Sequence, residues 1–286
     1  MRVQVDAATK LREIEETQGW LRGLGLKVDN TRYDLAKKLL RKGVDEGEID
    51  EDQMLKFQWA LQDIDDFLQV HAFLEEKSSP IRKVLEKTLK GAVAVLSESP
   101  GKPAAARNYM FELVIASRLV EMGYDVRFDL SVDLGADCIV NLNGVDIYVE
   151  CKRSLGDAPD ELLHEAFKQI QTRCKANAGA PSFGIAAVCY TPLIARESNK
   201  MGPLIGRADD VSKNMTETTQ KLRFGGFSKY CPPGLGVITH FTVPFWESED
   251  MHLTLLRKTN FHGLVSEDHP TVAELGRNWR SPRAAY

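Results

Sequence analysis

The stretch Asp137-Cys-Ile-Val-Asn-Leu-Asn-Gly-Val-Asp-Ile-Tyr-Val-Glu-Cys-Lys152 decides the fold. Two short runs rich in apolar and β-branched residues, 138–142 and 145–152, flank Asn143-Gly144. That dipeptide readily takes the positive φ values of a two-residue hairpin turn, so the runs read as adjacent antiparallel strands. Side chains alternate along a strand, which puts Glu150 and Lys152 on one face and Val149 and Cys151 on the other. Asp137 opens the first strand, and the hairpin brings it beside Glu150.

Working outward, residues 107–122 carry Tyr109, Phe111, Leu113, Val114, Ala116, Leu119 and Val120 at helical spacing and end at Gly123, a helix stop. Residues 125–130 read as a strand, 159–176 as a helix, and 184–190 as a buried strand. Beyond these, 207–223 reads as helical and 236–245 and 251–259 as two further strands. Upstream, Ser97-Glu-Ser-Pro-Gly-Lys-Pro103 is the clearest break in the chain. Everything before it is helical in pattern, with stripes such as Met54, Phe57, Leu61, Ile64, Leu68 and His71, and helix starts near Asp29 or Asn30, Asp50 and Ser79-Pro80. The expectation is an α/β protein in two parts: a helical N-terminal region over 1–100 and a catalytic domain with a C-terminal extension over 101–286.

Composition narrows the field. Hydrophobic residues make up 43% and charged residues 27% of the 286, ordinary for a soluble globular chain. No apolar run approaches a membrane span and the N-terminus is charged from the start, so a soluble cytoplasmic protein without membrane contact is expected. Five cysteines without a C-x-x-C pair point to reduced thiols rather than zinc or disulfides. The histidines have no H-x-H or H-E-x-x-H spacing, and no glycine-rich phosphate loop ends in Lys-Ser/Thr, so neither a histidine metal centre nor an intrinsic ATPase is expected. A net charge of −4 argues against a protein that coats nucleic acid, though not against a local basic groove.

Hydrolysis of a phosphodiester needs converging carboxylates around a divalent ion and a cation to offset developing charge. Asp137, Glu150 and Lys152 are suited to this, and Glu112 adds a carboxylate within the apolar face of the helix before them, where a cation must answer it. Here the sequence resembles the restriction-endonuclease-like superfamily with its PD-(D/E)XK signature. The matching residues are Glu112 in the leading helix, Gly135-Ala-Asp137 at the second strand and Val149-Glu150-Cys-Lys152 in the third. Over about 107–190 the elements follow that family's order of helix, three-stranded meander, helix and strand. The usual proline before the Asp is replaced by Ala136.

The resemblance implies a restriction-endonuclease-like core. It implies Asp137 and Glu150 as ligands of Mg²⁺, with Mn²⁺ as a substitute, Lys152 as the catalytic lysine and Glu112 as an auxiliary ligand. Gln169 and Gln171 match the place where some members carry a glutamine near the site. The activity expected is that of a metal-dependent nuclease on nucleic acid, foremost a DNA endonuclease, as in restriction or phage defence. The rival is a catalytically silent nuclease-fold module that binds nucleic acid or a partner protein. Cleavage of both strands would suit a homodimer, and the N-terminal helices would suit a regulatory partner.

Other features read as structural. Glu75-Glu-Lys77 repeats the E-x-K spacing on an exposed helix. Asp45-Glu-Gly-Glu-Ile-Asp resembles a calcium loop, but with Gly47 in the loop's glycine place Lys42 and Val44 fall where oxygen ligands belong. His71, Tyr148 and Tyr190 are expected to pack. A basic excess over 196–230 and the tail Arg277-Asn-Trp-Arg280-Ser-Pro-Arg283 are the candidate phosphate-contacting segments.

Overall fold

A computed structural model of the chain describes residues 7–46, 50–91, 105–128, 137–154, 159–176, 182–193, 202–220, 225–230, 233–249, 252–265 and 269–280. The Ser97–Pro103 break, Gly47, Gly135, Ala136 and Cys231 lie outside these residues, as do Arg196, Lys200, Lys221, Arg223 and Arg283.

The hairpin forms as its turn residues demand. Asn143 and Gly144 take φ of 53° and 81°, joining β2 (Cys138–Leu142) to β3 (Val145–Arg153) with Cys138 opposite Val149 and Leu142 opposite Val145. β1 (Asp125–Arg127) adds to the free edge of β2, antiparallel. Helix α6 (Pro159–Ala176) then crosses over, and β4 (Ser182–Cys189) lies parallel to β3. The long β6 (Gly234–Glu247) continues the sheet parallel to β4, and β7 (Leu253–Gly263) returns antiparallel along its other edge. The short β5 (Ile205–Gly206) pairs with the far end of β6 and leads into α7 (Ala208–Gln220). The sheet order is β1-β2-β3-β4-β6, with β5 and β7 on β6.

Two apolar cores cover the faces of this sheet. Ile147 and Val149 of β3, with Ile185 and Ala187 of β4, pack with Leu113, Val114 and Ile115 of α5 (Ala105–Glu121). Ala186 and Val188 of β4 pack instead with Leu163, Phe167 and Ile170 of α6. Because Glu150 pairs with Ala186 and Lys152 with Val188, both charged side chains face α6.

The N-terminal helices are α1 (Ala7–Gly23), α2 (Arg32–Glu46), α3 (Glu51–Leu74) and α4 (Ser78–Thr88). Asp50 caps α3 through a reciprocal box with Gln53. Ala60, Ile64 and Phe67 of α3 belong to the same core as α5 and β3. Polar links reinforce the join: Gln58 donates to the Leu204 carbonyl at 2.8 Å, Trp246 Nε1 to the Met54 carbonyl at 3.3 Å, and Arg257 pairs with Asp66 at 2.6 Å.

The expected elements appear with shifted ends. The strand expected over 236–245 runs from Gly234 to Glu247, and that over 251–259 from Leu253 to Gly263. The C-terminal tail corrects one expectation. Trp279, on α8 (Pro270–Arg280), is buried, donates Nε1–H to the Thr259 carbonyl at 3.0 Å and packs on Phe261. It is a core residue and has no free face for a base. The packing readings agree with the structure: His71 stacks on Trp20 and bonds to Thr17, Tyr190 stacks on Phe241, and Tyr148 is buried.

Candidate active site

The β2–β3 register sets the site. One step beyond the Cys138–Val149 pair, Asp137 stands opposite Glu150, so both are placed at the same level of the hairpin. The Asp137 carboxylate accepts a hydrogen bond from the Cys151 N–H, which fixes it against the end of β3. Burial pushes the Asp137 carboxyl up, against the opposing pull of that N–H, of Lys152 and of Arg173. Glu112 is carried to the same place by α5. Burial pushes its carboxyl up to about 8, with the Asp137 charge adding to the rise while Lys87 and Lys152 draw it down. Glu112, Asp137 and Lys152 therefore feel one another's charge, and at both acids burial outweighs the pull of the neighbouring cations.

Glu150 stands in different company. It is 2% exposed and forms an ion pair with Arg173 of α6. Lys152, two residues on, bonds to Gln169 Oε1 at 2.9 Å and lies 3.5 Å from Glu165. The pattern follows from geometry. Residues 165, 169 and 173 recur every four positions on one stripe of α6, about 6 Å apart along its axis, and alternate residues of a strand advance by about 6.6 Å. An antiparallel crossover helix can then match Glu150 to Arg173 and Lys152 to Gln169. Gln171 falls about 200° round the helix from Gln169 and off that stripe.

The structure thus brings Glu112, Asp137 and Lys152 into one electrostatic cluster, seats Glu150 beside Asp137 in register, and answers Glu150 with a guanidinium. Arg173, Glu165 and Lys87 were not singled out from the sequence. The i, i+4, i+8 spacing with Gln169 was the available signal for the first two. Lys87, whose Nζ lies 4.5 Å from the Tyr109 ring centre, comes from α4, the helix before α5.

Cys138 and Cys151 lie beside the cluster, and burial together with the neighbouring acids pushes both thiols well up. They are wall, not nucleophile. No group of three or more His, Cys, Asp or Glu side chains among the described residues is disposed to hold a metal ion. The donor set nevertheless fits a hard cation of the magnesium kind, which takes one or two carboxylates and fills its remaining positions with water and substrate oxygens. Two carboxyls raised by burial are the chemistry such an ion would relieve. Comparison with protein-family models, curated proteins and solved structures gives no match to the chain.

Proposed function

We propose that the protein is a metal-dependent nuclease, foremost a DNA endonuclease, built on a restriction-endonuclease-like core of α5, β1–β3, α6 and β4. The observation that carries this reading is the placement of Asp137, opposite Glu150 in the hairpin and held by the Cys151 N–H, with the half-buried carboxyl of Glu112 and the ammonium of Lys152 acting on the same spot at the end of β3.

In this reading Asp137 and Glu112 would hold a Mg²⁺ ion, with Glu150 beside them. The ion supplies Lewis-acid polarisation of the phosphate and a more acidic water. The chain's own groups do the rest. The Cys151 N–H orients Asp137. Gln169 accepts from Lys152 Nζ at 2.9 Å and aims the ammonium, which donates to the attacking water or to the phosphoryl oxygens as charge builds there. The basic segment over 196–230 would contact phosphates away from the cut.

The test is cleavage of plasmid, single-stranded DNA and RNA by the purified chain with Mg²⁺ or Mn²⁺, beside Lys152→Ala. The expectation is metal-dependent cutting and a fall in rate of at least about 100-fold in the variant, the usual cost of losing a charge-stabilising donor, with an unchanged melting curve. Equal rates in the two proteins would remove the mechanism.

One observation favours a second reading. The Arg173–Glu150 pair puts a cation on one of the carboxylates the resemblance assigns to metal, as a nuclease-like module that binds without cutting could do. Calorimetric titration with Mn²⁺ separates the two: one ion bound per chain supports the enzyme, and none supports the silent module.

A further inference from the structure

A second charged site lies between the N-terminal helices and the sheet, on the face opposite Glu150 and Lys152. Its centre is Arg32, at the first position of α2 and 1% exposed. None of its three guanidinium nitrogens makes a hydrogen bond. Asp63 is nearest, with Oδ1 3.9 Å from Arg32 Nη1, beyond hydrogen-bond reach. That carboxylate is already taken by Arg107, which grips it through both terminal nitrogens. The Phe67 ring lies 5.5 Å from the Arg32 Cζ, a contact that leaves the in-plane N–H groups unanswered.

Arg32 opens on a cavity also lined by Asp66, Gln62, Arg107, Arg153 and His240. It gives the centre of a water-sized sphere about 20 Å³ of room. With the surrounding shell added, that admits a small tetrahedral oxyanion as well as water. Asp66 is held from behind by Arg257 at 2.6 Å. His240 engages Thr259 and Thr242, each at 2.9 Å, and its burial keeps the ring neutral. The guanidiniums of Arg32, Arg107 and Arg153 line this space, Arg107 is engaged by Asp63, and Arg257 stands behind Asp66. Arg32 is fully buried there with no hydrogen-bonded acceptor on any of its three nitrogens.

A buried cation without acceptors is among the most costly arrangements a protein can carry, and an anion in the adjoining space removes the cost. We propose that this cavity is a binding site for a small phosphoryl oxyanion, with Arg32 as its principal ligand. Gln62 also lines the cavity, and its Nε2–H₂ is the amide group able to donate to the bound anion. The site lies where α2 and α3 meet α5, β3 and β6, so its occupant braces the helical region against the sheet. The proposal does not depend on the nuclease reading.

The test is thermal melting and calorimetric titration of the full chain with inorganic phosphate, with chloride at matched ionic strength as the control. A parallel arm with AMP distinguishes a free anion from the phosphate of a nucleotide. Phosphate should bind once per chain and raise Tm saturably, by roughly 5 °C at a hundredfold excess over Kd. A rise with AMP alone would make the source a phosphomonoester. Arg32→Met should bind phosphate at least tenfold more weakly and melt no lower than the parent in phosphate-free buffer. Lys152→Ala should keep the full response, which places the anion away from the cleavage site. No saturable effect of either anion on the parent chain would overturn the proposal, as would an undiminished response in Arg32→Met. If Arg32→Met does not fold, the single-site titration of the parent chain decides.

Discussion

At the scale of single residues, Glu112 makes the sharpest statement about pH. Its carboxyl is raised from 4.5 to about 8 by burial and by Asp137. A group whose folded pKa lies above its unfolded value stabilises the fold fully below the unfolded value. That stability is lost as pH climbs through the folded one. The metal-free chain should therefore weaken between about pH 5 and pH 8. Other groups titrate there too, among them Asp66, raised to about 6, so the informative quantity is the difference between the parent and Glu112→Gln. In urea melts at pH 5.5, 7 and 8.5 the variant should gain on the parent as pH rises, by an amount on the order of 2 kcal/mol. Mn²⁺ should restore the parent at pH 8.5 and do little for the variant. A pH-independent difference would mean that Glu112 is already ionised in the fold.

Arg173 gives a second prediction at the same scale. Removing one partner of a buried pair leaves the other charge stranded, at a cost of about 3–5 kcal/mol. Arg173→Gln should lose stability of that order in metal-free buffer and recover part of it with Mn²⁺, because Glu150 is then open to the ion. A loss that Mn²⁺ leaves untouched would make the pair purely structural.

At the scale of elements, the seat of α6 on the sheet sets where Gln169 and Arg173 point. Gly184 of β4 is what lets the helix approach. A Cβ there would meet Ile170 Cγ2 at 2.3 Å and Cγ1 at 2.8 Å, far inside contact distance. Gly184→Ala should push α6 outward and destabilise the chain by about 1–3 kcal/mol, as overpacking does. Adding Ile170→Ala makes room and should recover part of the loss, measured as a coupling in a double-mutant cycle. Additive effects would show that the helix is not held at this point. If Lys152 is aimed by Gln169, the single variant should also lose more cleavage than its melting curve explains.

The elements were the most legible part of the sequence. Asn143-Gly144 marks its turn because few other dipeptides accept two positive φ values in succession, and the Pro159 helix start and its Ala176 end follow from local pattern. Asp137 beside Glu150 follows from the same turn, since a two-residue loop leaves no choice of register. What could not be read was anything needing distant pairing. The parallel order β3-β4-β6, the excursion through β5, and the match of Arg173 to Glu150 depend on how far α6 travels before the chain returns. No local rule encodes that distance. Arg32 was invisible for the same reason: on paper it is an ordinary charged residue beside a helix start, and only folding removes its water.

At the scale of the whole molecule, the break near residue 100 reads in sequence as a boundary, yet buried contacts run across it. Ala60, Ile64 and Phe67 of α3 fill the same core as Leu113 and Val114 of α5 and Val149 of β3. Met54 and Phe57 cover Trp246 of β6, and the Asp63 carboxylate is the buried partner of Arg107. A piece comprising residues 102–286 would expose that apolar face of α5 and β6 and take the Asp63 carboxylate away from Arg107. Domains that fold alone carry their own core, and here the core on the α5 face of the sheet is divided between the two parts. The piece is therefore expected to aggregate or to melt without a cooperative transition. Near-ultraviolet circular dichroism and calorimetry beside the full chain would read this directly. A cooperative melt within a few degrees of the full chain would show instead that the helices are a detachable module. In that event a regulatory role for them, docking and undocking over the sheet, would become the better account of why they are there.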